Sequence, residues 1–254
     1  MENVMTQETH IEDGSVALVT GASSGIGEAV AVALIGLGCR VIGAARRVDR
    51  LQALAERLGE RFHPLALDVT DPDSVNGLVD RLPADLREIG ILINNAGHGL
   101  GGRVEFNSHG ADEMASIIET NVVGLIRLTR LIAPIMVARD RGDIVNVGSI
   151  MGLRPYGSSA AYTASKYAVH GFSDSLRVDL AKTGLRVIEV LPGLTRTEFA
   201  SHLSQKGGSD PVKAYDERPS VLTADDVARA VVFALDQPPH VTMAQITVLP
   251  SSQG

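Results

Sequence analysis

The 254-residue sequence predicts a single α/β domain: a doubly wound parallel sheet of about seven strands with helices on both faces. Three observations lead there. Short β-branched runs alternate with longer amphipathic segments through nearly the whole chain. Most of the apolar runs are too continuous for a strand with one wet face, so they read as strands buried on both sides. Strand–helix alternation of this kind implies right-handed crossovers between parallel neighbours.

Taken in order, the strands are 16–19, 40–44, 63–67, 91–94, 143–147, 185–190 and 244–249. Helical patterns lie between them over 25–37, 48–59, 72–82, 110–138, 160–182 and 223–236. The third helix opens on Asp71-Pro72, a capping carboxylate before a proline suited to a first turn. The last opens on Thr223 with Asp225 and Asp226 at its positive end. Residues 194–222 break the alternation: they hold Gly207-Gly208, two prolines and mixed charges, and read as a lid or insertion over a site. No repeat or low-complexity stretch divides the chain, so 1–254 reads as one domain, with 1–14 as a flexible tail.

Composition narrows the function. A hydrophobic share of 44% and a mean hydropathy of +0.13 are enough for a sizeable core and too much for disorder. Aromatics at 4% and the absence of tryptophan leave little for stacking on single-stranded nucleic acid. A net charge of −7 argues against binding a phosphate backbone, so no nucleic-acid partner is expected. Cys39 is the only cysteine, which rules out an intrachain disulfide and a thiolate cluster. The first residues lack the basic start and apolar stretch of a signal peptide, and no run of eighteen apolar residues occurs. The expectation is a soluble cytoplasmic protein without a membrane partner.

After the first strand comes Thr20-Gly21-Ala22-Ser23-Ser24-Gly25-Ile26-Gly27, running straight into a helix. Glycines there let the backbone turn tightly and approach a pyrophosphate, whose charge meets free N–H groups at the helix start. Close packing of helix on sheet is the plainer alternative, and placement at the first βα junction weighs against it. At the end of the second strand a carboxylate would bind an unphosphorylated adenosine ribose. The sequence has Arg46 and Arg47 instead, and guanidinium forks suit a 2′-phosphate. NADP(H) is therefore preferred, with NAD(H) as the alternative.

Ser149 ends the fifth strand, and Tyr162 and Lys166 follow four residues apart at the start of a helix, on one face. A phenol titrates near pH 10, and a neighbouring ammonium stabilises the phenolate and brings it toward working range. A serine hydroxyl can hold a substrate oxygen in place. With these residues the chain resembles the short-chain dehydrogenase/reductase family, in its branch of roughly 250 residues, over almost everything from Val16 to Leu249. The resemblance implies a Rossmann-like fold and a tetrad of Asn121, Ser149, Tyr162 and Lys166. Ser149 would orient the carbonyl, Tyr162 would donate the proton in reduction, Lys166 would lower the tyrosine pKa and hold ribose hydroxyls, and Asn121 would anchor a water. It also implies cofactor contacts from Gly21, Ser23, Ser24, Gly25, Ile26 and Gly27, from Arg46, from Asp68 and Val69 near adenine, and from Asn95, Ala96 and Gly97. Pro192, Gly193, Thr195 and Thr197 resemble the nicotinamide-holding turn, although Thr195 stands where the family more often has an aliphatic residue.

The substrate pocket is expected to be bordered by His98, Met151, Leu153, Tyr156, Leu194 and Phe199. That lining is mostly apolar, without an arginine pair for a dicarboxylate, so a small or medium-sized ketone, aldehyde or secondary alcohol is the expected substrate. The ending Ala244–Pro250 resembles family members acting on 3-hydroxy acids. None of the seven histidines falls at a zinc-binding spacing. His170, one turn beyond Lys166, is expected at a subunit contact, and Cys39 reads as a small core residue. Apolar residues beyond what one sheet face needs on 110–138 and 160–182 suggest a homo-oligomer, a tetramer by resemblance or else a dimer. Two other classes stay open: a cofactor-binding regulator without turnover, and an isomerase or dehydratase that uses bound cofactor transiently.

Overall fold

The computed structural model describes residues 9–99, 106–157, 159–198 and 220–253. Seven strands form one sheet: β1 (Val16–Thr20), β2 (Arg40–Ala45), β3 (Phe62–Ala66), β4 (Ile89–Asn94), β5 (Gly142–Val147), β6 (Leu185–Pro192) and β7 (Gln245–Val248). Their order is β3-β2-β1-β4-β5-β6-β7 and every neighbouring pair is parallel. The helices are α1 (Gly25–Gly36), α2 (Val48–Leu58), α3 (Pro72–Asn76), α4 (Ala111–Ile118), α5 (Leu125–Val137), α6 (Ala160–Asp179) and α7 (Ala224–Leu235). The fold is the doubly wound one that the alternation predicts.

Burial on both faces explains the continuous apolar strands. In β1, Ala17 and Val19 join Val30 and Leu34 of α1 and Val231 of α7 in one core layer. Val16 and Leu18 point the other way, to Leu128, Ile132 and Met136 of α5. Successive side chains of a strand alternate between faces, so only an apolar residue at every position satisfies both layers. The edge strands depart from this rule. β3 keeps His63 and Pro64 half-buried, and proline, having no N–H, is tolerated at such an edge. β7 alternates exposed and half-buried residues.

The helix starts follow local chemistry. Asp71 accepts a hydrogen bond from the Asp73 N–H (2.9 Å) ahead of Pro72. Thr223 and Asp226 bond each other's backbone N–H groups, a reciprocal cap on α7. The helix expected over 72–82 stops at Asn76, with Gly77 at its end and only a 3₁₀ turn following. The run expected over 110–138 is continuous, but between α4 and α5 it widens into a π-turn over Glu119–Gly124. Residues 111–137 are long and apolar enough to cross a membrane by length and composition alone. Here the inward side of α5 packs on the sheet through Leu128, Ile132 and Met136.

Of the expected tail, residues 9–14 are held in place. Ile11 is buried in the α1–α7 layer, and Thr9 Oγ1 and the His10 N–H both donate to Asp236 (2.7 and 2.6 Å). Most of the expected lid, 199–219, lies outside the described residues.

Candidate active site

Strand order reverses between β1 and β4, and in open parallel sheets a crevice opens at the carboxyl ends at such a point. A cleft of about 1100 Å³ occupies that place. One end is built by the turn after β1. Gly21 has φ +67°, a left-handed conformation, and an added Cβ would sit 2.7 Å from Asn95 Nδ2. Thr20 secures the turn to β4: its Oγ1 donates to Ile93 O and accepts from the N–H groups of Asn95 and Ala96. Asn95 returns the contact, its amide donating to Thr20 O (2.9 Å). Ser24 then precedes the first turn of α1.

Arg46 and Arg47 stand beside this turn, at the mouth of the second strand. Arg46 is exposed and lines the cleft. Arg47 lies over the turn, donating to Ser23 Oγ (3.0 Å) and Ser24 Oγ (2.6 Å). It also bonds Glu198 (3.1 Å), which Arg50 of α2 shares (2.6 Å). The Arg50 guanidinium, helped by Arg47, holds the Glu198 carboxyl below the usual carboxylate range against the opposing effect of burial. Asp68 follows β3 on the same wall. Burial works against its charge, but two hydrogen bonds from Thr70 and the field of Arg46 outweigh it and keep the carboxyl below its ordinary value.

The other end is built by β5 and α6. Ser149 is in extended backbone (φ −167°), and its Oγ accepts the Met151 N–H (3.2 Å) at the start of a 3₁₀ turn. That bond uses the oxygen as acceptor and leaves the hydroxyl proton for another partner. Tyr162 and Lys166 stand one turn apart on α6 and both line the cleft. Lys166 Nζ donates to Val147 O (2.8 Å) and lies 5.6 Å from the centre of the Tyr162 ring. Burial pulls the Lys166 ammonium down from 10.5 to about 8, with Glu189 acting in the opposite direction.

Asn121 does not line the cleft; it is buried behind the wall, inside the π-turn. Its amide donates to His98 O (2.9 Å) and Ser165 Oγ (3.0 Å), and its Oδ1 accepts the His98 N–H (2.9 Å). It therefore ties the loop after β4 to α6, next to Tyr162 and Lys166. The extra residue of a π-turn re-aims a helical side chain, and such turns cluster at functional sites.

The remaining predicted residues fall as follows. Gly21, Ser23, Ser24, Gly25, Ile26, Val69, Ala96, Gly97, Pro192, Gly193, Thr195 and Thr197 line the cleft, whereas Gly27 does not. Of the expected substrate pocket, His98, Met151, Tyr156 and Leu194 line it too. Leu153 does not: it is exposed, and its carbonyl accepts from the Tyr167 hydroxyl (2.8 Å). Phe199 lies outside the described residues. Sequence reasoning missed Phe106, His109, Met114 and Gln253 in the lining. Gln253 accepts the Leu194 N–H (2.8 Å) and so braces the turn after β6 from the far end of the chain. No local signal marks a residue so distant in sequence. Arg50 could have been found, since it lies one helical turn beyond Arg46 and Arg47.

The fold and the cleft together define an α/β protein with a dinucleotide-sized crevice and a titratable pair at one end. The short chain dehydrogenase family profile matches residues 15–207. A probable NADP-dependent dehydrogenase of Haemophilus influenzae is 40% identical over 242 residues, 94% of each chain. An NADP-dependent 3-hydroxy acid dehydrogenase of Schizosaccharomyces pombe is 36% identical over 247 residues, 95% of each. Among solved structures, the closed form of a serine dehydrogenase complexed with NADP+ superposes with a TM-score of 0.89 at 36% identity, covering 94% of this chain and 96% of that one. The chain belongs to the short-chain dehydrogenase family.

Proposed function

We propose that this protein is an NADP(H)-dependent oxidoreductase acting on CH–OH groups, interconverting a small or medium-sized ketone or aldehyde and its alcohol with Tyr162 as general acid/base. One observation carries the reading: a single cleft has arginines beside a glycine turn at one end and Ser149, Tyr162 and Lys166 at the other. The relatives support the cofactor: one is named an NADP-dependent 3-hydroxy acid dehydrogenase, and the serine dehydrogenase structure is complexed with NADP+.

The residues present fit the dinucleotide. The left-handed Gly21 brings backbone N–H groups to the cleft floor, and α1 starts there with its positive end toward the pocket. Arg46 and Arg47 would hold a 2′-phosphate, and Asp68, Val69 and Asn95–Gly97 would border the adenosine. Pro192, Gly193, Thr195 and Thr197 would hold the nicotinamide end, and when bound the cofactor supplies or accepts a hydride.

The chain's own residues manage the proton. Ser149 directs its hydroxyl proton to the substrate oxygen while its Oγ accepts the Met151 N–H. Tyr162 gives a proton to that oxygen in reduction and takes one in oxidation. Lys166, charged at neutral pH, stabilises the phenolate by its field at 5.6 Å from the ring. Asn121 fixes the wall around them. His98, Met151, Tyr156 and Leu194 border the substrate. The working protein is a single-domain cytoplasmic enzyme, a homotetramer or dimer, without nucleic-acid or membrane partners.

The test follows NADPH and NADH absorbance in parallel against ketones, aldehydes and keto acids, with Tyr162→Phe as control. Turnover with NADPH, lost in Tyr162→Phe while NADPH binding survives, is the expected result. An NADH preference would refute the role of the arginines, and failure to bind either nicotinamide would refute the whole reading.

A further inference from the structure

Behind the cleft wall, on the side away from the pocket, β6 carries a carboxylate in a place that sheet packing alone would fill with an aliphatic side chain. Glu189 is wholly buried, and its register neighbours on β5 and β7 are Asn146 and Gln245. Its Oε2 lies 2.7 Å from His170 Nδ1, while Oε1 has no hydrogen-bond partner. Leaving a buried carboxylate oxygen unpaired is costly, so such a group calls for an explanation beyond packing. The surroundings are shaped around it. A Cβ at Gly148 would come within 2.6 Å of Glu189 Oε1, so the residue just before Ser149 must be glycine for the carboxylate to fit. Val147, the next residue back, supplies the carbonyl that takes Lys166 Nζ. His170 lies one helical turn beyond Lys166 on α6.

We infer that His170 and Glu189 form a positioning pair that holds Lys166 in its charged form from behind the cleft. His170 donates its Nδ1 proton to Glu189 and keeps the carboxylate ionised. The carboxylate, through low-dielectric protein, favours the Lys166 ammonium. Neither residue lines the cleft, so both act through Lys166. The charged groups around Glu189 are few. From α6 they are Lys166, His170 and Asp174, whose Oδ2 lies 3.8 Å from His170 Nε2, and Arg177, which pairs with Asp174 at 2.7 Å. The β5 neighbour Asn146, the adjoining Gly148 and the β7 neighbour Gln245 carry no charge. Burial raises the Glu189 carboxyl above its ordinary range, and the bond from His170 acts against this. Glu189 and Lys166 each act in favour of the other's ionised form.

This inference rests on the role proposed for Lys166, but it can be read without turnover. The chain has only four lysines, at 166, 182, 206 and 213, so the Lys166 titration can be followed by NMR of lysine carrying ¹³C at Cε. Glu189→Gln keeps the shape and removes the charge, and should move the Lys166 midpoint to lower pH by about one unit. His170→Phe keeps the carboxylate without its donor and should move it the same way by less, and it carries the test should Glu189→Gln fail to fold. A midpoint unmoved in the folded variants, whatever their melting temperature, overturns the inference, because a purely structural role changes stability and not the lysine. With NADPH and a reducible carbonyl, the alkaline limb of kcat should shift by the same amount. A moved midpoint with an unmoved limb overturns the catalytic part of the claim. Absence of wild-type turnover would count against the proposed function and leave the NMR result to decide the pair.

Discussion

Replacing Lys166 by methionine should make the protein more stable and catalytically inert. Lys166 is held down from 10.5 to about 8 by burial, so the folded state binds this proton less tightly than the unfolded chain does. At roughly 1.4 kcal/mol per pH unit, the difference amounts to about 3 kcal/mol against folding. Because the folded value is the lower one, the cost is fully present below pH about 8 and disappears as pH rises toward 10.5. Methionine fills a similar volume without charge. It forfeits the bond to Val147 O, which offsets about 1 kcal/mol. The variant should therefore gain about 1–3 kcal/mol at pH 7, a few degrees in Tm for a domain of this size. That gain should shrink steadily between pH 8 and 10.5. Urea unfolding of both proteins in parallel at pH 7, 8, 9 and 10 measures it, since other titrations cancel in the difference. A gain independent of pH, or a variant less stable at pH 7, would refute the argument. Reduction of a carbonyl by NADPH should fall at least 100-fold, the usual loss when a general acid is no longer tuned.

Two further predictions concern the ends of the cleft. The double variant Arg46→Ala, Arg47→Ala should raise KM for NADPH by roughly tenfold or more and leave NADH within about threefold, since a charge-assisted phosphate contact is worth ~1.5–3 kcal/mol; equal losses with both cofactors would contradict the assignment. Gly148→Ala forces a Cβ to 2.6 Å from both Glu189 Oε1 and Leu191 Cδ2, and should destabilise by about 1–3 kcal/mol in urea unfolding. Paired with Glu189→Ala, which removes one of the two contacts and leaves Leu191 Cδ2, only part of that loss should disappear.

Strand positions were legible because a parallel sheet buried on both faces admits few residues but aliphatic ones, as in Val16–Thr20 and Leu185–Pro192. The helical pattern over 72–82 continues past Asn76, but Gly77 and the turns after it end the helix. The π-turn that redirects Asn121 was not legible at all, since a one-residue widening leaves no mark on hydrophobic periodicity. In the candidate site, the glycine turn and the Tyr162–Lys166 pair are each local, and local spacing reveals them. Charge alone marks Arg47 as a phosphate contact, but its bond to Glu198 is not visible in the sequence, because Glu198 arrives from the far side of the sheet order.

Periodicity, turn glycines and i, i+4 spacing are properties of short segments, so the sheet, its crossovers and the Tyr162–Lys166 spacing are legible in the chain order. Which distant groups meet depends on how the elements close on one another. That closure brings Gln253 onto the turn after β6, Asn121 between the loop after β4 and α6, and Glu189 under His170. Glu189 sits in a run that reads simply as a buried strand. Its carboxylate acquires a charge partner, an orphaned oxygen and a neighbouring lysine only when β5, β6 and α6 close together, since burial and electrostatic fields depend on what surrounds a residue and not on its place in the chain.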